Sequence, residues 1–166
     1  PLFFRNHYEV DKNCFSGWVE YTKLLTNLGI KVVNIANNHI MEYGPEGYKR
    51  TLAALDQENI FYTGDAQEIY SNELLINIEG INFGFLGYSI IKDLSVNKLY
   101  AFSDPETILS HAKKFTKKCD HLILLLHWGD EFVPRPTIEQ IDFGHKLIDS
   151  GVKVVIGHHP HVYQGM

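Results

Sequence analysis

The sequence is short of several features that would assign it quickly to a class. It has two cysteines, Cys14 and Cys119, which lie far apart in the chain. Their spacing leaves open whether they pair or remain free thiols, and neither has a Cys or His partner at the spacing of a metal site. Cysteine usage therefore leaves the compartment open and predicts no cysteine-bound metal.

Excess positive charge and long apolar runs are also lacking. The chain has 15 Lys and Arg against 20 Asp and Glu, a net charge of −5, so no nucleic-acid partner is expected. The basic cluster between Lys113 and Lys118 falls on a predicted helix and is interpreted as its solvated face. No apolar run approaches the roughly 20 residues that a membrane helix needs, and no signal peptide is visible.

Two common catalytic motifs are missing as well. There is no G-x-S-x-G elbow and no G-x-x-x-x-G-K-[ST] phosphate loop. Nucleophilic catalysis by a side chain therefore has little support. Among the available carboxylates, Glu131 stands out because it falls four residues after His127.

Apolar periodicity, helix caps and glycine stops predict an alternation of helices and strands. Helices are predicted at 16–28, 45–58, 104–118 and 137–150, and strands at 30–36, 60–62, 73–78, 81–88, 121–126 and 152–156. In the first helix, Trp18, Tyr21, Leu25 and Leu28 share the face that is expected to be buried.

This order of elements predicts an α/β fold with one mostly parallel, buried sheet flanked by helices. The aliphatic run at 121–126 is typical of a parallel strand that is covered on both faces. The strands at 73–78 and 81–88 meet at Glu79-Gly80, which indicates a hairpin. We expect residues 1–166 to form a single domain, since 166 residues suffice for a core of its own.

Histidine and asparagine follow three of the predicted strands. Asn37-Asn38-His39 follows 30–36, His127 follows 121–126, and the run from Gly157 to His161 follows 152–156. In parallel α/β sheets, ligands bind beyond the carboxyl ends of the strands. Imidazole is a common ligand of zinc, iron and similar ions. The sequence therefore predicts a metal site at one edge of one sheet.

The run from His158 to His161 is the strongest of these signals. On an extended segment, His159 and His161 lie on the same side and His158 points the other way. Pro160 stiffens the backbone between the pair. The alternative is a polar loop that happens to be rich in histidine. We interpret the cluster as a metal site with His127 as a third nitrogen ligand.

The remaining candidates have weaker signals. Asn38 offers a neutral oxygen ligand, and His39 is placed to donate a proton to a leaving oxygen or to stabilise a phosphoryl group. Asn37 and Asn38 fit a role in the turn equally well, because Asn is common in turns. Glu131 fits a loop carboxylate, or a partner of a ligand histidine, at least as well as direct catalysis.

Taken together, these segments resemble the bacterial capsule-synthesis family of the poly-γ-glutamate biosynthesis type (CapA-like), in the calcineurin-like metallophosphatase superfamily. The matching segments are 36–39, 43–47, 127–131, 148–151 and 155–162. The resemblance spans about residues 24–164. It implies a metallophosphatase-like layered fold that is incomplete at both ends of this chain.

The resemblance also implies roles for individual residues and a cofactor. The implied metal ligands are Asn38, His127, His159 and His161, the catalytic residue is His39, and the supporting or substrate-binding residues are Asn37, Glu131 and His158. The superfamily uses two divalent metal ions, and His and Asn ligands fit manganese, iron or zinc.

The chain departs from the family pattern in several places. Glu42 stands where the family usually has Asp, and Gly151-Val152-Lys153 stands where it favours Gly-Ala-Asp. The upstream Gly-Asp and Asn-Leu-Glu motifs that supply acidic ligands are absent, as is a downstream Ser-Leu-Gly-Asn-Phe segment. We therefore expect an internal fragment that binds at most one ion, weakly, and does not turn over substrate by itself.

Two functions are consistent with these features in the whole protein. The first is a metal-dependent hydrolase acting at a phosphoryl or amide-like centre during poly-γ-glutamate synthesis or export, with an anionic polymer or phosphorylated substrate. The second is a non-catalytic module that binds polymer or assembles with capsule synthase subunits. The histidine set favours the enzyme. The resemblance further implies a membrane-associated or cell-surface location in a bacterium.

Overall fold

The computed structural model describes residues 15–67, 72–91 and 99–165, in which helices and strands alternate. In order they are α1 (Thr22–Asn27), β1 (Val32–Asn34), α2 (Gly44–Gln57), β2 (Phe61–Thr63), β3 (Leu74–Ile78), β4 (Ile81–Ser89), α3 (Pro105–Phe115), β5 (His121–His127), α4 (Ile138–Asp149) and β6 (Val152–His158). Short 3-10 turns lie at Val19–Tyr21 and Thr116–Lys118. The predicted layered α/β fold is confirmed.

The described strands form two sheets in which parallel pairing dominates. β1 and β2 pair in parallel, and the larger sheet has the order β3-β4-β5-β6. β3 and β4 are antiparallel and are joined at Glu79 and Gly80, both with positive φ, as a type I′ turn requires. β4, β5 and β6 are parallel to one another. The predicted hairpin and the predicted parallel strands are thus confirmed.

The prediction of one sheet is wrong for the described part of the chain. β1 does not pair with the larger sheet. Instead, the Asn34 side chain at its end lies against Gly87 of β4, with Asn34 Nδ2 3.5 Å from the carbonyl oxygen of Leu125 in β5. Apolar periodicity predicts that a segment is a strand, but the choice of neighbour depends on contacts distant in sequence.

Local signals explain where three helices begin. Pro45 occupies the first turn of α2, where its missing N–H is not needed. Asp104 caps α3 by accepting a hydrogen bond from the Thr107 amide at 3.0 Å. α4 begins with a capping box, in which Thr137 and Gln140 each satisfy the other's backbone N–H.

The first helix is shorter than predicted, and of the face expected to be buried only Leu25 packs against the core. α1 covers Thr22–Asn27, and the preceding residues form a 3-10 turn. Trp18 and Tyr21 are exposed, whereas Thr22 is buried. A 3-10 turn has about three residues per turn instead of 3.6, so the residues before and after it do not share one face.

The apolar core packs the helices against β4 and β5. Its fully buried members are large side chains, among them Tyr48, Leu86, Ile108, Phe115, Leu122, Leu124, Leu126 and Leu147. Burial of such side chains is worth roughly 1.5–3 kcal/mol each. β5 is therefore anchored along its length, and its last residue, His127, is held in a defined position.

β6 is less buried than its apolar sequence predicts. It pairs with β5 on one side and is the edge of the described four-stranded sheet. Val154 and Ile156 are 45% and 47% exposed. The expectation of a buried sheet is therefore wrong for β6, because an apolar run indicates a strand without showing what packs on it.

The structure bears on the state of one cysteine and on the presence of membrane-spanning helices. Cys119 is a free thiol, whereas Cys14 lies outside the described residues. Within the described ranges, the structure contains no helix that is both long and apolar enough to span a bilayer.

Candidate metal centre

The histidines at the ends of two parallel strands meet the loop that follows β1. His127 and His158 end β5 and β6 and are paired in register. Asn38 reaches this pair from its loop, with its Oδ1 2.7 Å from His127 Nε2. Because neighbouring parallel strands end at the same edge of a sheet, their polar end residues are brought together.

His158 lies inside this cluster and does not point away from it. Its Nδ1 is 2.7 Å from His127 Nδ1, and its Nε2 is 3.0 Å from Asn34 Nδ2. Simple alternation along β6 had placed this ring on the far side. The contact arises because residues in register on neighbouring strands project from the same face of the sheet.

Glu131, His159 and His161 form a second group beside the first. Each offers one ligand atom, and these atoms lie within 4.8 Å of one another. The rings of His159 and His127 have centroids 4.6 Å apart, which connects the two groups. The structure thus brings together the four predicted ligands and Glu131.

The backbone at His159 and His161 turns sharply. β6 ends at His158, and His159 and His161 have φ values of 102° and 58°. The extended segment assumed from the sequence is therefore wrong, and it is the turn that brings both rings to one side. Positive φ at non-glycine residues costs about 1–3 kcal/mol and is concentrated at functional sites.

Backbone hydrogen bonds hold this turn against the loop after β5. The Trp128 amide donates to the His158 carbonyl at 3.1 Å, and the Phe132 amide donates to the Pro160 carbonyl at 2.7 Å. The Phe132 ring also stacks on His161 with centroids 5.8 Å apart. The loop that carries Glu131 is therefore fixed relative to both histidines.

The donor atoms at this site fit a divalent metal ion. His159 is 9% exposed, and its Nδ1 is buried without a hydrogen-bond partner in the described part of the chain. Such an atom costs about 1–3 kcal/mol unless something occupies its lone pair or N–H. Imidazole nitrogens, an amide oxygen and a carboxylate suit manganese, iron or zinc.

Burial favours the neutral form of three imidazoles, those of His127, His158 and His159. Burial, reinforced by neighbouring histidines, lowers the pKa of His127 to about 3. Burial and then His159 lower the pKa of His158 to about 4. Burial also lowers the pKa of His159, against the opposing influence of Glu131. Neutral imidazole is the form that binds a metal ion.

His39 lies beside the cluster with a carboxylate partner that sequence reasoning missed. Its Nδ1 is 2.5 Å from Glu42 Oε1, and its side chain is 30% exposed. A carboxylate on one ring nitrogen holds the imidazole in one orientation. The signal was available, because Glu42 lies three residues after His39, where the resembling family has Asp.

Asn37 is used by the turn itself. Its Oδ1 accepts a hydrogen bond from the His39 amide at 2.9 Å, and its Nδ2 donates to the Ile35 carbonyl at 3.2 Å. Both polar groups of the carboxamide are engaged with backbone, as in an Asx turn. These contacts favour the turn interpretation of Asn37 over substrate binding.

Comparison with known proteins identifies relatives across almost the whole chain. The family described as "Bacterial capsule synthesis protein PGA_cap" matches residues 4–166. The "Capsule biosynthesis protein CapA" of Bacillus anthracis is 29% identical over 172 residues, which cover 96% of this chain and 42% of that protein.

A second curated relative supports the same family. The "PGA biosynthesis protein CapA" of Bacillus subtilis (strain 168) is 28% identical over 153 residues, covering 87% of this chain and 40% of that protein. The chain thus spans about two fifths of the length of the curated relatives that it matches.

Proposed function

We propose, because this chain belongs to the bacterial capsule synthesis protein family, that the full-length protein acts in poly-γ-glutamate capsule biosynthesis through a metal-dependent hydrolase site. The matched relatives are named for capsule and PGA biosynthesis. The substrate class is an anionic polymer or a phosphorylated precursor. A bacterial membrane or cell-surface location and contact with capsule synthase subunits belong to the same proposal.

One observation carries the hydrolase part of the proposal. Five side chains with metal-binding atoms, from the end of β5 and from the loops after β1, β5 and β6, converge where β5 and β6 end. They are Asn38, His127, Glu131, His159 and His161. Convergence of imidazoles with a carboxylate is costly to maintain without a ligand, since it includes a buried Nδ1 without a hydrogen-bond partner among the described residues and two positive φ values.

The grouping of these side chains suggests how two metal ions would be divided between them. Asn38 and His127 face each other at one end of the cluster, and Glu131, His159 and His161 lie together at the other. The Glu131 carboxylate offsets part of the repulsion that two dications would experience. When bound, such ions polarise a phosphoryl or amide-like centre and activate water.

His39 is the proposed general acid. Glu42 holds its Nδ1, which leaves the other ring nitrogen to exchange a proton with a substrate oxygen. The partial exposure of the His39 ring keeps it accessible to a substrate.

The test is the metal content and the phosphodiesterase and phosphomonoesterase activity of the full-length protein. We expect divalent ions in the purified protein, and loss of both ions and activity in the His159→Ala plus His161→Ala variant. His145→Ala, an exposed histidine of α4, is the matched control and is expected to behave as wild type.

A protein without bound metal, whose activity does not change in the double variant, would contradict the hydrolase proposal. The polymer-binding or assembly module would then be the better description. Bound metal without activity toward any phosphoester or amide-like substrate would limit the ions to a structural role.

A further inference from the structure

Asn34 occupies a site that two glycines leave open. It is the last residue of β1, and its Oδ1 lies where a Cβ on Gly64 or on Gly87 would be. Any larger residue at either position would overlap the Asn34 carboxamide. Two separate elements therefore make room for one polar side chain beside the metal centre.

The orientation of this carboxamide is determined by the backbone around it. Asn34 Oδ1 accepts a hydrogen bond from the Ala36 amide at 2.9 Å, which requires an oxygen at that position. Nδ2 lies near two carbonyl oxygens, those of Ala36 at 3.4 Å and Leu125 at 3.5 Å. The group that faces His158 is therefore the NH₂ donor.

A donor at this point fixes the protons of two histidines in turn. Nδ2 of Asn34 lies 3.0 Å from His158 Nε2, so that nitrogen must present its lone pair. A neutral His158 then carries its proton on Nδ1, which faces His127 Nδ1 at 2.7 Å. His127 Nδ1 must therefore accept the hydrogen bond that His158 Nδ1–H donates. The proton of the His127 ring then lies on Nε2, which faces Asn38 Oδ1 at 2.7 Å.

We infer that Asn34 is a positioning residue of the metal centre, which sets the tautomers of His158 and His127 through this single chain of hydrogen bonds. The inference rests on the proposed function only for its consequence for metal binding. Binding of an ion through His127 Nε2 requires His127 to carry its proton on Nδ1 instead, and His158 to accept it. Asn34 opposes that reversed chain, because its NH₂ would then face an N–H.

The inference is tested on the ion-free, full-length protein labelled with ¹⁵N in the histidine rings. Long-range ¹H–¹⁵N spectra distinguish protonated from unprotonated ring nitrogens. We expect His158 to be protonated on Nδ1 and His127 on Nε2, with His127→Gln and His158→Gln variants used for assignment. A wild-type His158 protonated on Nε2 would overturn the inference without any further variant.

The second arm replaces the donor with an acceptor. In Asn34→Asp, the carboxylate can accept from His158 Nε2–H, so we expect the two protonated nitrogens to exchange places in both rings. Asn77→Asp adds the same charge to an exposed hairpin residue and should leave both tautomers unchanged. Unchanged tautomers in a folded Asn34→Asp protein would contradict the inference.

The outcomes separate this inference from the proposed function. Both spectra are recorded without metal, so a protein that never binds an ion can still show the predicted tautomers. Conversely, a protein that binds ions but shows the opposite tautomers retains the metal site, while Asn34 loses its assigned role.

Discussion

At the scale of single residues, the absence of a side chain is as important here as its presence. Gly87 in β4 and Gly64 after β2 both lie against Asn34, and Gly157 lies against the Trp128 ring. Each allows a polar or aromatic group to approach a strand backbone closely. The spacing between the β1 loop and the histidines of β5 and β6 depends on these contacts.

Gly87→Ala should destabilise the protein by about 1–3 kcal/mol, because the new Cβ would overlap Asn34 Oδ1 and displace it. The measurement is the midpoint and slope of urea unfolding. Gly144→Ala, in α4, is the matched control. The nearest atom to its new Cβ would be one of Trp128 at 3.9 Å, so the Cβ would not overlap a neighbour. That variant should gain up to about 1 kcal/mol. Equal effects at both positions would contradict this account.

At the scale of elements, α4 supports the loop that carries Glu131. Gln140 in its first turn lies where a Cβ on Gly129 would be. The Gln140 side chain also reaches Gln164, which in turn donates to the Val133 carbonyl at 2.9 Å. The helix start, the Glu131 loop and the segment after the histidines are therefore connected.

Removal of the α4 cap should weaken both the helix and this connection. We expect Thr137→Ala to lower the free energy of unfolding by about 1 kcal/mol, since the Gln140 amide loses its acceptor. Ser110→Ala removes an exposed hydroxyl in the middle of α3. It should raise the free energy of unfolding by roughly a few tenths of a kcal/mol. Chemical unfolding of the two variants side by side is the measurement. A Thr137→Ala variant as stable as wild type would show that the α4 cap does not contribute to stability.

At the scale of the whole molecule, a partly buried ion-pair cluster joins α3 to β4 and to the segment before β3. Glu73, just before β3, lies 2.9 Å from His111 of α3 and 2.8 Å from Lys118. His111 Nδ1 is in turn 2.5 Å from the hydroxyl of Tyr88 in β4. Burial alone would raise the pKa of Glu73, but the hydrogen bonds from Lys118 and His111 outweigh it and lower the pKa.

This cluster predicts a loss of stability in acid. Because the pKa of Glu73 is lower in the folded state than its ordinary 4.5, the unfolded state binds more protons below that pH. Its contribution is present above about pH 4.5 and is lost as pH falls through the folded value. We expect Glu73→Gln to cost about 2 kcal/mol at pH 7 and to flatten the acid side of the stability profile.

Urea unfolding between pH 3 and pH 7 measures that profile for wild type and variant. Glu79→Gln, at the β3–β4 turn, is the matched control, and its profile should follow that of wild type. Parallel profiles for wild type and Glu73→Gln would contradict the assigned role of Glu73.

Much of the architecture followed from local patterns. Caps and glycine stops placed α2, α3 and α4 within a few residues of their observed bounds, and strand runs placed β3, β4 and β5 equally well. These signals act over one or two helical turns, or along one strand, and so are readable from a short window of sequence. The prediction of α1 failed because it also relied on a short window of sequence. A 3-10 turn within that window changes the number of residues per turn.

The sequence by itself determined which residues are candidates for the site. Asn38, His39, His127, His159 and His161 were identified from residue type and position at strand ends, since parallel strands deliver their ends to one edge. Only the tertiary structure decided how they are arranged. The inward position of His158 and the Asn34 chain depend on contacts across as many as 124 residues. Such contacts form between elements, so no local pattern encodes them.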